Sequence, residues 1–378
     1  MHIYIVTGGI GKHAIFSSMI EPLCEKHGEK IAIMSGYPDL FRFHPSVEMS
    51  VGQFEPGFYD DVVMRPDSHL HYADPYRSDY IKGHSHLVDA WAGLLNVQAT
   101  DRRPDIWIDD YAVEEAKRFK SKHKRFVMVQ FSGGQSPAVL DLNRRHVNMG
   151  QQRDYPRELA QKLVKEIQKR HKGMVVLNYA LPNEQTANLD GTITIQAPYL
   201  FYVALLQICD GYVAIDSSLQ HFAANKWNSK NGVAIWGSTG PEHLGYEHVV
   251  NMTNAERHTI RPLTQPIGDV VNADRSRWVE AKQDLTHVDP MKVADELDLL
   301  IESNRTAMAN FDNTVENLER KNAKVEIDQG TSQLIMSLNA QAEGLQTQAK
   351  RIVEQFVKSR GLDGSYALSD DGGHVIRI

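Results

Sequence analysis

The sequence predicts an α/β protein in which two parallel-sheet domains face each other across a cleft. Three observations point there. A short apolar run ending in a glycine turn and passing into helical spacing occurs near the start, in "IYIVTGG". The same arrangement recurs in "RFVMVQFSGG", after residue 120. Beyond about residue 303 the apolar residues shift to a sustained three-and-four spacing, which marks a separate helical extension.

In the first half, "IYIVTGG" reads as a buried strand. "HAIFSSMIEPLCEKHG" follows as a helix through Ile15, Met19 and Leu23 that closes at Gly28, and "KIAIMSG" is a second buried strand. Strand, helix and strand within about forty residues form a βαβ unit, which implies a parallel sheet. Residues 37–86 are irregular and rich in Pro, Tyr, Asp and His, and read as long functional loops. "HLVDAWAGLLNV" is an amphipathic helix, and "RPDIWIDDYAVEEAKRFKSKHKR" a linker strand followed by a charged helix.

The second half alternates more regularly. "RFVMVQ", "MVVLNY", "GYVAID" and "GVAIWGS" read as strands, and "RELAQKLVKEIQKRHKG", "LFYVALLQIC" and "SLQHFAANKW" as the helices between them. Two such sets give two Rossmann-like domains, expected at 1–120 and 121–303, with ligands beyond the carboxyl ends of the strands. The segment 304–360 is read as one or two amphipathic helices or a coiled coil, either packed on the second domain or used for self-association. The stretch 361–378 is a small hairpin or loose tail.

Composition narrows the class of partner. With 378 residues, 42% hydrophobic and 24% charged, the chain is an ordinary globular sequence with room for two cores. Its net charge of −7 gives no overall attraction to nucleic acid, although a local basic patch stays open. Cys24 and Cys209 lie far apart in apolar patterns, as buried thiols rather than a disulfide or metal pair. No apolar run approaches ~20 residues and no signal peptide opens the chain, so the expectation is a soluble, cytoplasmic protein.

The glycines at Gly8, Gly9 and Gly11 make a phosphate-holding turn after the first strand. A P-loop would need glycine where Val6 stands and Ser or Thr where His13 stands, so that reading fails. Gly9, Gly11 and Ala14 match a dinucleotide fingerprint, but its acidic partner is missing from the next strand, where Met34 and Ser35 stand.

The segment "GYVAIDSSLQHFAANKWNSKNGVAIWGSTGPEHLGY" carries a more specific pattern. It resembles the donor site of the heptosyltransferase-like glycosyltransferases of family 9, which have the GT-B fold. On that resemblance Asp216, Ser217 and Ser218 form the first turn, His221 sits one turn into the helix, and Gly237, Ser238 and Thr239 form the second turn. Weaker likeness extends to "VMVQFSGG", with Ser132 and Gly133, and to the first glycine loop, with Gly9 and Gly11, over about residues 1–300. The resemblance implies inverting, metal-independent transfer of a sugar from a nucleotide diphosphate to an acceptor hydroxyl, with no cofactor. A helix starting near Ser217 suits a pyrophosphate, because its first N–H groups and positive dipole end attract anions; a plain N-cap is the competing reading.

Where the family carries an Asp base on the first glycine loop, this chain has Lys12 followed by His13. His13 is therefore expected to take the acceptor proton, with Lys12 lowering its pKa and Asp216 completing the catalytic set. The family's lysine after the second glycine loop has no clean match, and Arg144, Arg145 or Lys12 could replace it. The acceptor side is assigned to Tyr72, Tyr76 and Arg77, with Arg144 and Arg145 on its rim.

His69, His71, His84 and His86 alternate in "SHLHYADPYRSDYIKGHSH" but lack Cys or tightly spaced carboxylates, and no metal is expected. They are read as lining the acceptor side as well. The expected acceptor is a glycan such as a lipopolysaccharide core. The basic runs "KRFKSKHKR" and "NRRHVNMGQQR" leave two alternatives, a DNA-modifying glycosyltransferase acting on hydroxymethylated bases and a solvated helix face. The missing loop Asp leaves a third, a non-catalytic nucleotide-sugar-binding or assembly protein.

Overall fold

A computed structural model describes residues 1–52, 55, 58–72, 74–75, 85–99, 101–133, 154–181, 184, 186–195, 197–228, 230–237, 240–253 and 288–320, with two strands at 366–368 and 375–377. Residues 1–310 form one compact unit and 311–378 a second.

The first sheet is wholly parallel. It contains β1 (His2–Val6), β2 (Ile31–Ser35), β3 (Val47–Gly52) and β4 (His69–Tyr72) in the order β3-β2-β1-β4. Between β1 and β2 the chain forms α1 (Ile10–Phe16), a 3₁₀ turn at Ser17–Met19 and α2 (Ile20–His27), which Gly28 ends in a left-handed conformation at φ 68°. Only a residue without a Cβ adopts that cap without cost, so the sequence signal at Gly28 and the structure agree. Both β3 and β4 fall inside the stretch expected to be loop. Their short runs, "VEMSVG" and "HLHY", mix polar and apolar residues, and pairing with neighbours rather than local pattern makes them strands.

The short helix α3 (Asp39–Arg42) precedes β3, and α4 (Leu87–Leu95) buries Leu87, Val88 and Trp91. The stretch 104–109 is extended but no strand. Its backbone bonds go elsewhere: Asn225 accepts from Ile106 N and donates to Ile106 O, at 3.0 and 2.8 Å, Ser17 Oγ accepts from Asp105 N at 2.7 Å, and Pro104 O accepts from Lys226 N at 2.9 Å. The charged helix α5 (Asp110–Lys122) packs against α7 (Tyr199–Ile208), and Lys120 Nζ reaches Ile208 O at 2.8 Å.

The second sheet is also parallel, with six strands in the order β10-β9-β8-β5-β6-β7. Its strands are β5 (Phe126–Gln130), β6 (Val175–Asn178), β7 (Thr192–Thr194), β8 (Gly211–Ile215), β9 (Val233–Ile235) and β10 (Val250–Met252). The helices are α6 (Arg157–Arg170), α7, α8 (Ser218–Ala223) and α9 (Pro241–Leu244). The sequence pattern missed β7 and β10, which are three residues each. The helix α10 (Pro290–Arg320) buries Val293, Leu297 and Ile301 with Val129, Val213 and Leu163 on one face of this sheet. The boundary expected at 303 falls inside α10. One apolar cluster joins Tyr4, Phe16 and Trp91 to Phe126, Leu205 and Trp236, and each sheet has a further core of its own, around Ile3, Ala32 and Val51 in the first and Val127, Val129 and Val213 in the second.

In the second unit β11 (Tyr366–Leu368) and β12 (Val375–Arg377) pair antiparallel, so the C-terminal stretch is a hairpin. The amphipathic positions from Leu334 to Phe356 lie outside the described residues. Among the described residues no helix is long and apolar enough to cross a membrane. Both cysteines are free thiols.

Candidate functional site

The site lies where the carboxyl ends of the two sheets meet. After β1 the chain passes Gly8, at φ 103°, and Gly9, which leads into α1 in an extended conformation. A Cβ at Gly11 would stand 2.9 Å from His221 Cδ2 and 3.8 Å from Ser218 Cα. No side chain fits between α1 and α8, so the glycine lets the loop of one sheet touch the turn of the other. Glycine here serves packing between the sheets.

The second sheet builds its side of the junction from adjacent strand ends. Asp216 is buried in the turn after β8. Ser217 is extended and precedes α8, with its Oγ 3.6 Å from where a Cβ on Gly133 would sit. Ser132 Oγ and Thr186 Oγ1 share a hydrogen bond at 2.7 Å, and Gly133 N donates to Asp154 Oδ1 at 2.8 Å. Gly237 is buried just past β9. His221 is buried, with Nδ1 3.0 Å from the Tyr246 hydroxyl and its opposite edge toward Gly11. The structure thus gathers Gly9, Gly11, Ser132, Gly133, Asp216, Ser217, Ser218, His221 and Gly237 around one junction.

Gln130 went unnoticed in the sequence. It ends β5, and its Oε1 accepts from Leu219 N at 2.9 Å, holding the first turn of α8. That N–H, expected to face a phosphate, already has a protein partner. Glu184 was missed too. Burial, with Asp154 nearby, raises its carboxyl to about 7, while a hydrogen bond from Leu181 N opposes the shift. Both are single polar residues in apolar or loop context, with no local pattern to mark them.

The His13 expectation is corrected. Its ring is fully buried, with Nδ1 2.9 Å from Gly9 O and Nε2 3.0 Å from Val6 O, and Tyr37 stands edge-on at 4.9 Å. Burial lowers its pKa most, the two carbonyls oppose that, and Lys12 adds a smaller lowering. In either protonation state both nitrogens face backbone carbonyls, so no lone pair is directed at a substrate. His13 ties the glycine loop to the end of β1.

Lys12 does reach the junction. Its Nζ lies 3.3 Å from Asp74 Oδ1, just past β4, and its stem packs on Gly8. Desolvation lowers the Lys12 pKa, and Asp74 pulls it back up. At the end of β4, Tyr72 is exposed, with its hydroxyl 3.5 Å from Thr7 Oγ1 beside the glycine loop.

Of the other loop histidines, His84 lies outside the described residues, and His71 and His86 depart from the expected acceptor lining. His86 is buried and caps α4, accepting from Val88 N at 3.2 Å, while the His71 ring lies 2.8 Å from His2. Tyr76, Arg77, Arg144, Arg145, Ser238 and Thr239 lie outside the described residues.

Two parallel sheets meeting at their carboxyl ends give this chain a GT-B-like glycosyltransferase fold. Solved structures bear that out. The family 9 glycosyl transferase of Veillonella parvula aligns over 80% of this chain and 97% of its own, with 12% identity and a TM-score of 0.57. The Escherichia coli ADP-heptose lipopolysaccharide heptosyltransferase II aligns over 80% of this chain and 99% of its own, with 13% identity and a TM-score of 0.53. The dodecameric, iron-containing heptosyltransferase TibC, solved with ADP-D-β-D-heptose, aligns over 79% of this chain and 76% of its own, at 14% identity and a TM-score of 0.52. No family model and no curated protein sequence matches the chain.

Proposed function

We propose that this protein transfers a sugar from a nucleotide diphosphate to an acceptor hydroxyl. The observation that carries the reading is the contact of the glycine loop with the α8 turn, through Gly11 against His221 and Ser218, in a GT-B-like fold. It sets a phosphate-type loop from each sheet at one junction, which is what two-substrate transfer requires.

On this reading the second sheet holds the donor diphosphate through Ser217, Ser218 and His221, with Ser238 and Thr239 from the second turn. The acceptor lies on the first-sheet side, near Tyr72. The acceptor oxygen attacks the anomeric carbon, the bond to the diphosphate breaks with its electron pair leaving on phosphate, and the configuration inverts. With His13 turned to backbone carbonyls, the proton goes to the carboxylate of Asp74, which Lys12 holds against the glycine loop. This carboxylate takes the place of the loop Asp that the sequence lacks, and it favours turnover over mere donor binding. Lys12, Arg144 and Arg145 offset the charge of the leaving diphosphate without a metal, and the acceptor is a glycan.

Incubating the protein with a panel of nucleotide sugars and glycan acceptors, with product detection by mass spectrometry, tests the reading. Asp74→Asn should lower turnover by roughly 10²–10⁴ and leave the donor Kd within a few fold, as loss of a positioned base does. Absence of binding to any nucleotide diphosphate by calorimetry would refute it.

A further inference from the structure

Four histidines gather at the amino end of the first sheet, at the far end of the strands from the junction. Strand alternation puts residues 2 and 4 of β1 on one face, and the parallel register sets His69 beside His2 and His71 beside Tyr4. The end of α2 adds His27 to the same face, where its ring stacks on His2 with centroids 3.5 Å apart and planes 15° apart. His2 Nδ1 lies 2.8 Å from His71 Nε2, and the His69 ring stacks on His2 at 4.9 Å.

The geometry points to a divalent transition-metal site formed by His2, His27 and His71. One ring nitrogen from each falls within 4.8 Å of the other two. A tetrahedral zinc ion with Zn–N bonds of about 2.0–2.1 Å needs donors about 3.4 Å apart, which rotation of the rings about their side-chain bonds supplies. Three imidazoles with no thiolate suit zinc, copper, cobalt or nickel and disfavour magnesium or calcium. His69 or water completes the shell.

The surroundings support ligation. The Tyr4 hydroxyl lies 2.7 Å from His27 Nε2, the kind of outer partner that orients a ligating histidine, and the Glu29 carboxylate is 4.0 Å from His2 Nε2, adding negative charge beside the site. Burial, and the histidines beside one another, lower the pKa of all three rings, a shift in the direction of the neutral imidazole that binds metal. The ion would join the edge strand β4 and the end of α2 to β1. The glycine loop begins about 20 Å along β1 from His2 and about 13 Å from the level of Tyr4 and His71, so the site lies toward the other end of the strands from the transfer junction.

The test uses the untagged full chain, stripped with a chelator and then titrated with Zn²⁺ by calorimetry and with Co²⁺ by visible absorption. One Zn²⁺ per chain at micromolar affinity or tighter is expected, with a rise in Tm and a tetrahedral Co²⁺ spectrum. The double variant His27→Gln/His71→Gln should bind more than roughly 100-fold more weakly, beyond what loss of an outer-shell partner costs. His123→Gln, at the end of α5, should bind as the parent does. Equal affinity in the double variant, or no Zn²⁺ binding tighter than millimolar in the parent, overturns the site. Should the double variant not fold, X-ray absorption on the zinc-loaded parent decides, and fewer than two imidazole ligands overturns it.

Discussion

Gly11 and His221 touch across the two sheets, so closely that a single methyl on Gly11 would stand 2.9 Å from the imidazole ring. The pair shows that the α1 loop and the α8 turn are shaped to each other.

Gly11→Ala should therefore destabilise the protein by about 1–3 kcal/mol, the usual cost of overpacking, and weaken nucleotide-diphosphate binding. Gly9→Ala is the internal comparison: a Cβ there has nothing within 4 Å, and φ is −77°. Chemical denaturation of both variants reads the difference. Equal stabilities would mean that the junction opens freely.

His13→Ala should act on folding before chemistry. The ring fills a buried space and contacts two carbonyls, so its loss should cost roughly 2–4 kcal/mol. Turnover per folded molecule, assayed well below the new Tm, should stay within about tenfold of the parent. A loss of 10² or more with unchanged Tm would restore the ring to a chemical role.

Gln130→Leu keeps the side chain's bulk but leaves Leu219 N without its acceptor at the start of α8. A lost helix cap costs about 1 kcal/mol, and the α8 turn should loosen with it. The variant should show a small drop in Tm and a several-fold weaker donor Kd by calorimetry. Unchanged affinity would separate the α8 turn from donor binding.

His86 makes stability depend on pH. Burial and, to a lesser degree, the charge of Arg102 push its pKa down to about 4, against the partial compensation of Asp89 and the Gly245 carbonyl. Above pH 6.5 the ring is neutral in both folded and unfolded chains. Between 6.5 and about 4 only the unfolded chain gains the proton, so stability falls as pH drops, by about 3 kcal/mol in all. Below about 4 this contribution is flat. His86→Asn keeps a capping side chain and removes the titration, so its unfolding free energy should fall less between pH 7 and 4.5. An unaltered pH slope in the variant would place the dependence elsewhere.

Legibility in the sequence followed the range of the interactions. The strands around Ile5, Ala32, Met128 and Val213 are mainly apolar because their faces are largely covered, and such runs are visible without knowing their neighbours. β4 is polar in composition and becomes a strand only through pairing with β1, so "HLHY" looked like loop. The same holds for β7 and β10. The 104–109 stretch reads as a strand through Ile106, Trp107 and Ile108, yet Asn225, more than a hundred residues away, takes both backbone bonds of Ile106.

The sequence by itself determined that β1 and β5 end in glycine turns and that Asp216, Ser217, Ser218 and His221 stand on one strand-to-helix turn, since spacing along the chain settles both. Only the tertiary structure decided where the side chains point. It turned His13 inward onto Gly9 and Val6, brought Asp74 from β4 to Lys12, and gathered His2, His27 and His71 from three elements. The physical reason is that a side chain's role depends on which partners and how much burial surround it. Those are set by contacts between residues far apart in the chain, for which local periodicity carries no signal.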